Sequence, residues 1–225
     1  MAALPPEPSP PRIARVSAGQ PTFRRFYMNI GIIGAGAIGT AIAQALATAG
    51  IDVIIANSRG PDSLTALVER LGPSVRAVSR EEAARADLVF LAVNWSKLAG
   101  AVEGLGPWNG RIVIDANNPI EAPTFRAVDL GGRASSAVVG DLLPGARLVK
   151  AFNHLQPALL TGDPQAEGGR RVLFVSGEDA AAKATVAALI ERLGFFALDL
   201  GGNEQGRLAQ FPGGPLPALN LVRFA

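Results

Sequence analysis

Cysteine is absent from this 225-residue chain, which excludes disulfides, thiolate catalysis and Cys-based metal sites. Histidine is nearly absent: the single His154 cannot build a His-rich metal centre. The one tyrosine, Tyr27, is followed four residues on by Gly31, so no Tyr-x-x-x-Lys proton relay exists. Only Lys97, Lys150 and Lys183 occur, and none falls in an acid/base constellation that the sequence reveals. No Ser-His-Asp set and no Gly-x-Ser-x-Gly elbow is present. No apolar run reaches the roughly 18 residues that a membrane-spanning helix needs. With 21 basic and 19 acidic residues the net charge is only +2, and no basic cluster is interleaved with aromatics. Neither a nucleic acid nor a membrane is therefore expected as partner.

What is present is glycine, 26 residues of it, and one cluster is informative. Residues 29–39 read Asn-Ile-Gly-Ile-Ile-Gly-Ala-Gly-Ala-Ile-Gly, an apolar strand running into a Gly-x-Gly-x-x-Gly turn that opens an alanine-rich helix. A second strand follows about 20 residues on, the context that turns a weak motif into a dinucleotide-binding one. Gly34 permits the tight turn, Gly36 lets a pyrophosphate approach the backbone, and Gly39 lets helix and strand pack closely. Free N–H groups and the helix dipole then favour phosphate against Ala35, Ala37 and Ile38. The second strand ends in Asn57-Ser58-Arg59. An NAD site wants an acid here for the ribose 2′-hydroxyl, whereas a cation suits a 2′-phosphate. The expected cofactor is NADP(H), and the expected chemistry is hydride transfer.

Strand and helix patterns alternate along the rest of the chain, and the strands are continuous Val/Ile/Leu runs. Such runs mark strands buried on both faces of a parallel sheet. The expectation is an α/β, Rossmann-type doubly wound, mostly parallel sheet with a small C-terminal extension. Residues 1–27 are Pro-rich and then Arg-bearing, and read as a disordered tail or an extended start with no secretory h-region, so a cytoplasmic location is expected. Residues 28–140 form the NADP-binding domain, and 141–225 a strand/helix extension capping the acceptor side. Ser79 is a candidate N-cap with Glu82 at the capping-box position. Short helices are expected near 204–210 and 217–224.

Ligands bind outside the carboxyl ends of such strands. Val93, Asn94, Trp95 and Ser96 follow one strand, Asn117 and Asn118 another, and Ala151, Phe152, Asn153 and His154 a third. Val93, Asn94, Asn117, Asn118 and Ala151 are candidates for the nicotinamide side, and Trp95 or Phe152 for stacking on a flat ring. Asn153 and His154 are the catalytic candidates, although His154 taken alone reads sooner as a surface residue at a helix start than as a catalytic acid. A carbonyl reductase needs a general acid. The scarcity of such groups favours a conjugated acceptor that takes up the arriving charge itself, positioned against the nicotinamide. An imine or carbonyl reductase and a non-catalytic NADP(H)-binding redox sensor remain as alternatives.

From Met28 onward the chain resembles the family of F420-dependent NADP oxidoreductases, as a bacterial Rossmann-fold relative. The resemblance rests on residues 30–39, Ala56-Asn57-Ser58-Arg59, Val89–Val93, Ile114-Asp115-Ala116-Asn117-Asn118-Pro119, Lys150-Ala151-Phe152-Asn153 and Leu198-Asp199-Leu200-Gly201. It implies that the backbone of Ala35 to Ile38 holds the pyrophosphate and that Ser58 with Arg59 takes the 2′-phosphate. It also implies a homodimer whose C-terminal part shapes a deazaflavin pocket. Archaeal members carry His where Asn153 stands, and hydroxyl residues where this chain has Phe211-Pro212-Gly213-Gly214. The acceptor is therefore open among F420, a flavin, a quinone or another small molecule.

Overall fold

The structure is a computed structural model that describes residues 28–121 and 123–224. The tail expected at 1–27 lies outside the described residues. The first half is built of β1 (Ile30–Ile33), α1 (Ala37–Thr48), β2 (Val53–Ala56), α2 (Thr65–Leu71), β3 (Val75–Ala77), α3 (Arg80–Ala83), β4 (Leu88–Leu91), α4 (Leu98–Val102) and β5 (Ile112–Asp115). A hairpin of β6 (Ile120–Glu121) and β7 (Arg126–Ala127) follows, then α5 (Ser135–Asp141), β8 (Arg147–Ala151) and α6 (Pro157–Thr161). The chain continues through β9 (Gln165–Ala166), β10 (Gly169–Ser176), α7 (Ala180–Arg192), β11 (Phe196–Asp199), α8 (Asn203–Gly206) and β12 (Val222–Arg223).

The main sheet runs β11-β10-β8-β5-β4-β1-β2-β3. From β3 to β8 every neighbouring pair is parallel. β10 reverses direction against β8, and β11 runs parallel to β10. The continuous apolar runs explain this arrangement. All four residues of β1, β4 and β5 are buried, and successive side chains go to opposite faces. Ile30, Ile32, Phe90 and Ile114 join the layer under α1 and α7, while Ile33, Val89, Leu91 and Val113 join the layer with Leu98, Trp108 and Val139. The sheet is thus covered on both sides, and its strand ends are left as the open edge.

Local signals act largely as expected. Ser79 accepts a hydrogen bond from the Glu82 N–H at 3.2 Å and starts α3. Glu82 itself pairs with Arg76 at 3.0 Å, and no reciprocal capping bond from its side chain is seen. The C-terminal helix expected at 217–224 is corrected: Val222–Arg223 instead pairs antiparallel with Arg170 and Arg171 of β10. Ala218, just inside the expected helix, has φ +63 and its N–H donates to the His154 carbonyl at 2.8 Å, so the backbone leaves the helical path there.

Candidate functional site

The glycine turn joins β1 to α1 and separates three different demands. Gly34 has φ +114, and a Cβ there would lie 2.1 Å from the Ala92 carbonyl oxygen. Gly39 faces that turn, and a Cβ on it would lie 1.9 Å from the Gly34 carbonyl oxygen. Both glycines are required by the protein's own packing. Gly36 is not. Its φ is −80, an ordinary value, and among the described residues nothing lies within 4 Å of where its Cβ would be. It is the N-cap of α1, no side chain caps the helix, and no acid sits in the first turn. The first-turn N–H groups at Ala37, Ile38 and Gly39 are therefore available to an anion. Open space at a glycine that the fold does not need, beside uncapped donors, fits a pyrophosphate. A cleft of about 420 Å³ runs from this turn between α1 and α6, lined by Ala35, Gly36, Thr40, Gln44, Pro157 and Thr161.

At the end of β2, Asn57 shapes the loop. Its Nδ2 donates to Ser63 Oγ at 2.9 Å, and its Oδ1 accepts from the Arg59 N–H at 2.9 Å. Ser58 and Arg59 are left exposed. The Arg59 guanidinium enters no ion pair or hydrogen bond among the described residues.

The ends of β4, β5 and β8 are braced by a polar network that sequence reading missed. Asp115 and Lys150 lie opposite each other in register on β5 and β8. Lys150 Nζ donates to Asp115 Oδ2 at 3.0 Å, to Ser135 Oγ at 3.1 Å and to the Asn117 carbonyl. Ser136 Oγ donates to the same Asp115 oxygen at 3.3 Å. The other Asp115 oxygen accepts from the backbone N–H and Nδ2 of Asn117, at 3.0 and 2.9 Å. Asn117 Oδ1 in turn accepts from the Val93 N–H at 2.8 Å, which ties the β4 loop to the β5 loop. The signal available in sequence was a charged residue closing each of two apolar runs, Ile112–Asp115 and Arg147–Ala151.

Asn118 and Asn153 hold each other. Asn118 Nδ2 donates to the Asn153 carbonyl at 2.7 Å, and Asn153 Nδ2 donates to Asn118 Oδ1 at 3.1 Å. Asn153 Nδ2 also donates to the Ala209 carbonyl at 2.7 Å. These amides link strand ends to the C-terminal segment. Asn94 is exposed, Trp95 is half-buried and Ala151 is buried.

Two expectations are corrected here. Phe152 is not a stacking platform: it is 1% exposed, with its ring edge-to-face on Phe90 at 5.2 Å. Its φ of +63, unusual for a bulky residue, accompanies this turn into the core. His154 is neither a surface residue nor an accessible acid. It is 4% exposed, its ring lies 4.5 Å from that of Phe174, and its Nδ1 has no hydrogen-bond partner among the described residues. Burial lowers its pKa to about 4, against a smaller opposing effect of the Val172 backbone.

Fold and turn together define a Rossmann-type α/β protein with a dinucleotide-binding turn. Residues 29–119 match the family described as "NADP oxidoreductase coenzyme F420-dependent". A hypothetical protein from Sinorhizobium meliloti, of known crystal structure, is 48% identical with a TM-score of 0.83, over 87% of this chain and 96% of that one. A putative F420-dependent NADP-reductase from Arthrobacter sp. FB24 is 29% identical with a TM-score of 0.68, over 80% of this chain and 87% of that one. Metalloreductase STEAP3 of Rattus norvegicus is 31% identical over 183 residues, 79% of this chain. The chain spans only 35% of that protein's length. The matched segment, residues 29–119, places the N-terminal part of the chain in that NADP oxidoreductase family.

Proposed function

We propose that the chain binds NADP(H) across the carboxyl ends of β1, β2, β4 and β5, and passes hydride between the nicotinamide and a flat conjugated acceptor such as coenzyme F420 or a flavin. The observation that carries this is Gly36, a glycine that the fold itself does not require, beside uncapped N–H groups. The backbone from Gly34 through Ala35, Gly36, Ala37 and Ile38 to Gly39 holds the pyrophosphate. Asn57 sets the loop from which Ser58 and Arg59 reach the 2′-phosphate. Val93, Asn94, Asn117, Asn118 and Ala151 border the nicotinamide side, with Asn117 acting by fixing the Val93 loop.

The bound dinucleotide supplies the hydride at its nicotinamide ring, and the residues supply binding and orientation. His154 is sealed, and the Asn153 Nδ2 is spent on two protein acceptors. The strand ends therefore offer neither candidate as a proton donor, which favours an acceptor able to delocalise charge. The same reading has the chain acting in the cytoplasm as a homodimer, supported by the exposed apolar side chains of Leu219, Leu221 and Phe224. The test is loss of nicotinamide absorbance when the protein is given NADPH with F420, FMN or simple quinones. Turnover with a planar acceptor is expected. Tight NADPH binding with no turnover across the panel would replace the enzyme with a sensor.

A further inference from the structure

We propose that Phe211 is the platform on which the acceptor ring stacks, and hence the residue that sets acceptor specificity; this rests on the hydride-transfer reading above. Three consecutive residues are tied to the open edge of the sheet. The Ala209 carbonyl accepts from Asn153 Nδ2 at 2.7 Å, Gln210 Oε1 accepts from the Ser135 N–H at 3.0 Å, and the Phe211 N–H donates to Asn118 Oδ1 at 3.0 Å. Asn118 and Asn153 follow the β5 and β8 strands, so these ties hold the Phe211 backbone beside the edge where ligands of such sheets bind.

The loop is also fixed from its other side. The Gly214 N–H donates to the Gln210 carbonyl at 2.9 Å, and the Leu216 N–H to the Leu208 carbonyl at 3.0 Å. A Cβ at Gly214 would lie 2.4 Å from the Leu208 carbonyl oxygen, so the turn is closed tightly. Ala209 is buried within this braced segment, yet Phe211 stays 40% exposed. An aromatic ring on a backbone held this firmly is preorganised: a ligand that covers it need not first order the loop. Among the described residues, the backbones of other exposed aromatics, Phe125 and Phe224, make no hydrogen bond to the strand-end asparagines. The chemistry that matches a rigid aromatic face is a planar conjugated heterocycle, the isoalloxazine or deazaflavin type, stacked in offset.

FMN is the probe. It is titrated by fluorescence into the protein with and without saturating NADP⁺, for the wild type and for Phe211→Ala, Phe211→Trp and Phe211→Tyr. In the complex with NADP⁺, Phe211→Ala is expected to weaken FMN roughly tenfold, the scale of one aromatic stacking contact, with NADP⁺ affinity unchanged. The two aromatic variants should retain FMN binding, and in turnover the loss should fall on KM for FMN more than on kcat. Equal FMN affinity in wild type and Phe211→Ala overturns the proposal, as does a wild type that binds NADP⁺ but no FMN. A joint fall of both affinities with an altered sedimentation coefficient overturns it too, by making Phe211 a fold or interface residue. Failure of NADP⁺ to bind would remove the dinucleotide reading instead, and FMN titration of the free protein would still decide the role of Phe211.

Discussion

The ammonium of Lys150 and the carboxylate of Asp115 meet at 3.0 Å with 3% and 0% of their side chains exposed. They stand at the ends of the neighbouring strands β5 and β8, and Asn117 and the Val93 loop hang from them. Removing one partner of such a pair strands a buried charge, which costs about 3–5 kcal/mol. Lys150→Met should therefore lower the unfolding free energy by that amount, measured by denaturant titration. The pair is a structural brace on this account: Nζ makes three hydrogen bonds, all to protein acceptors.

The turn glycines should separate by what they serve. Gly34→Ala forces a Cβ onto the Ala92 carbonyl oxygen at 2.1 Å and meets a left-handed backbone, so it should destabilise the fold strongly. Gly36→Ala meets no atom within 4 Å. Its unfolding free energy should stay within about 0.5 kcal/mol of wild type, while NADPH affinity falls. Thermal unfolding with and without NADPH measures both.

Arg59→Asp should lose about 1–3 kcal/mol of NADPH affinity, the scale of a hydrogen bond to a charged group. NADH affinity should change less, and the preference for the phosphorylated dinucleotide should narrow. Asn57→Ala removes the bonds to Ser63 and to the Arg59 backbone, and should show a weaker version of the same loss. Calorimetric titration with each dinucleotide checks both variants.

His154 gives the fold a pH dependence of known sign. Its folded pKa of about 4 lies below the ordinary 6.5 because burial penalises the cation. Between those values the unfolded chain binds more protons, so stability falls as pH falls. The contribution is fully present above about pH 6.5 and is lost down to about pH 4, up to about 3 kcal/mol at 1.36 kcal/mol per unit. His154→Phe should flatten denaturation midpoints across that window. Asp179, whose carboxyl Arg147 holds well below its usual range, adds a separate loss beginning only below about pH 4.

The parallel half of the sheet was legible because its strands are unbroken apolar runs and its turn has glycines at fixed offsets. β9, β12 and α6 were not, because elements of two to five residues carry no period to read. Lys150 and Asp115 are 35 residues apart, and only the strand order brings them together. Phe152 looked like a stacking residue because it ends an apolar strand, but its left-handed backbone accompanies a ring turned inward. Phe211 sat in a Gly/Pro-rich stretch, and its position depends on three tertiary hydrogen bonds. The 2′-phosphate candidates were visible because they follow β2 directly and need no long-range contact to reach the edge.

The most direct test of the account is a calorimetric comparison of NADP⁺ with NAD⁺ on the wild-type protein. Saturable binding of NADP⁺, with NAD⁺ weaker by at least the tenfold that about 1.4 kcal/mol represents, is the predicted result. No heat from either dinucleotide, or equal affinity for both, would contradict it.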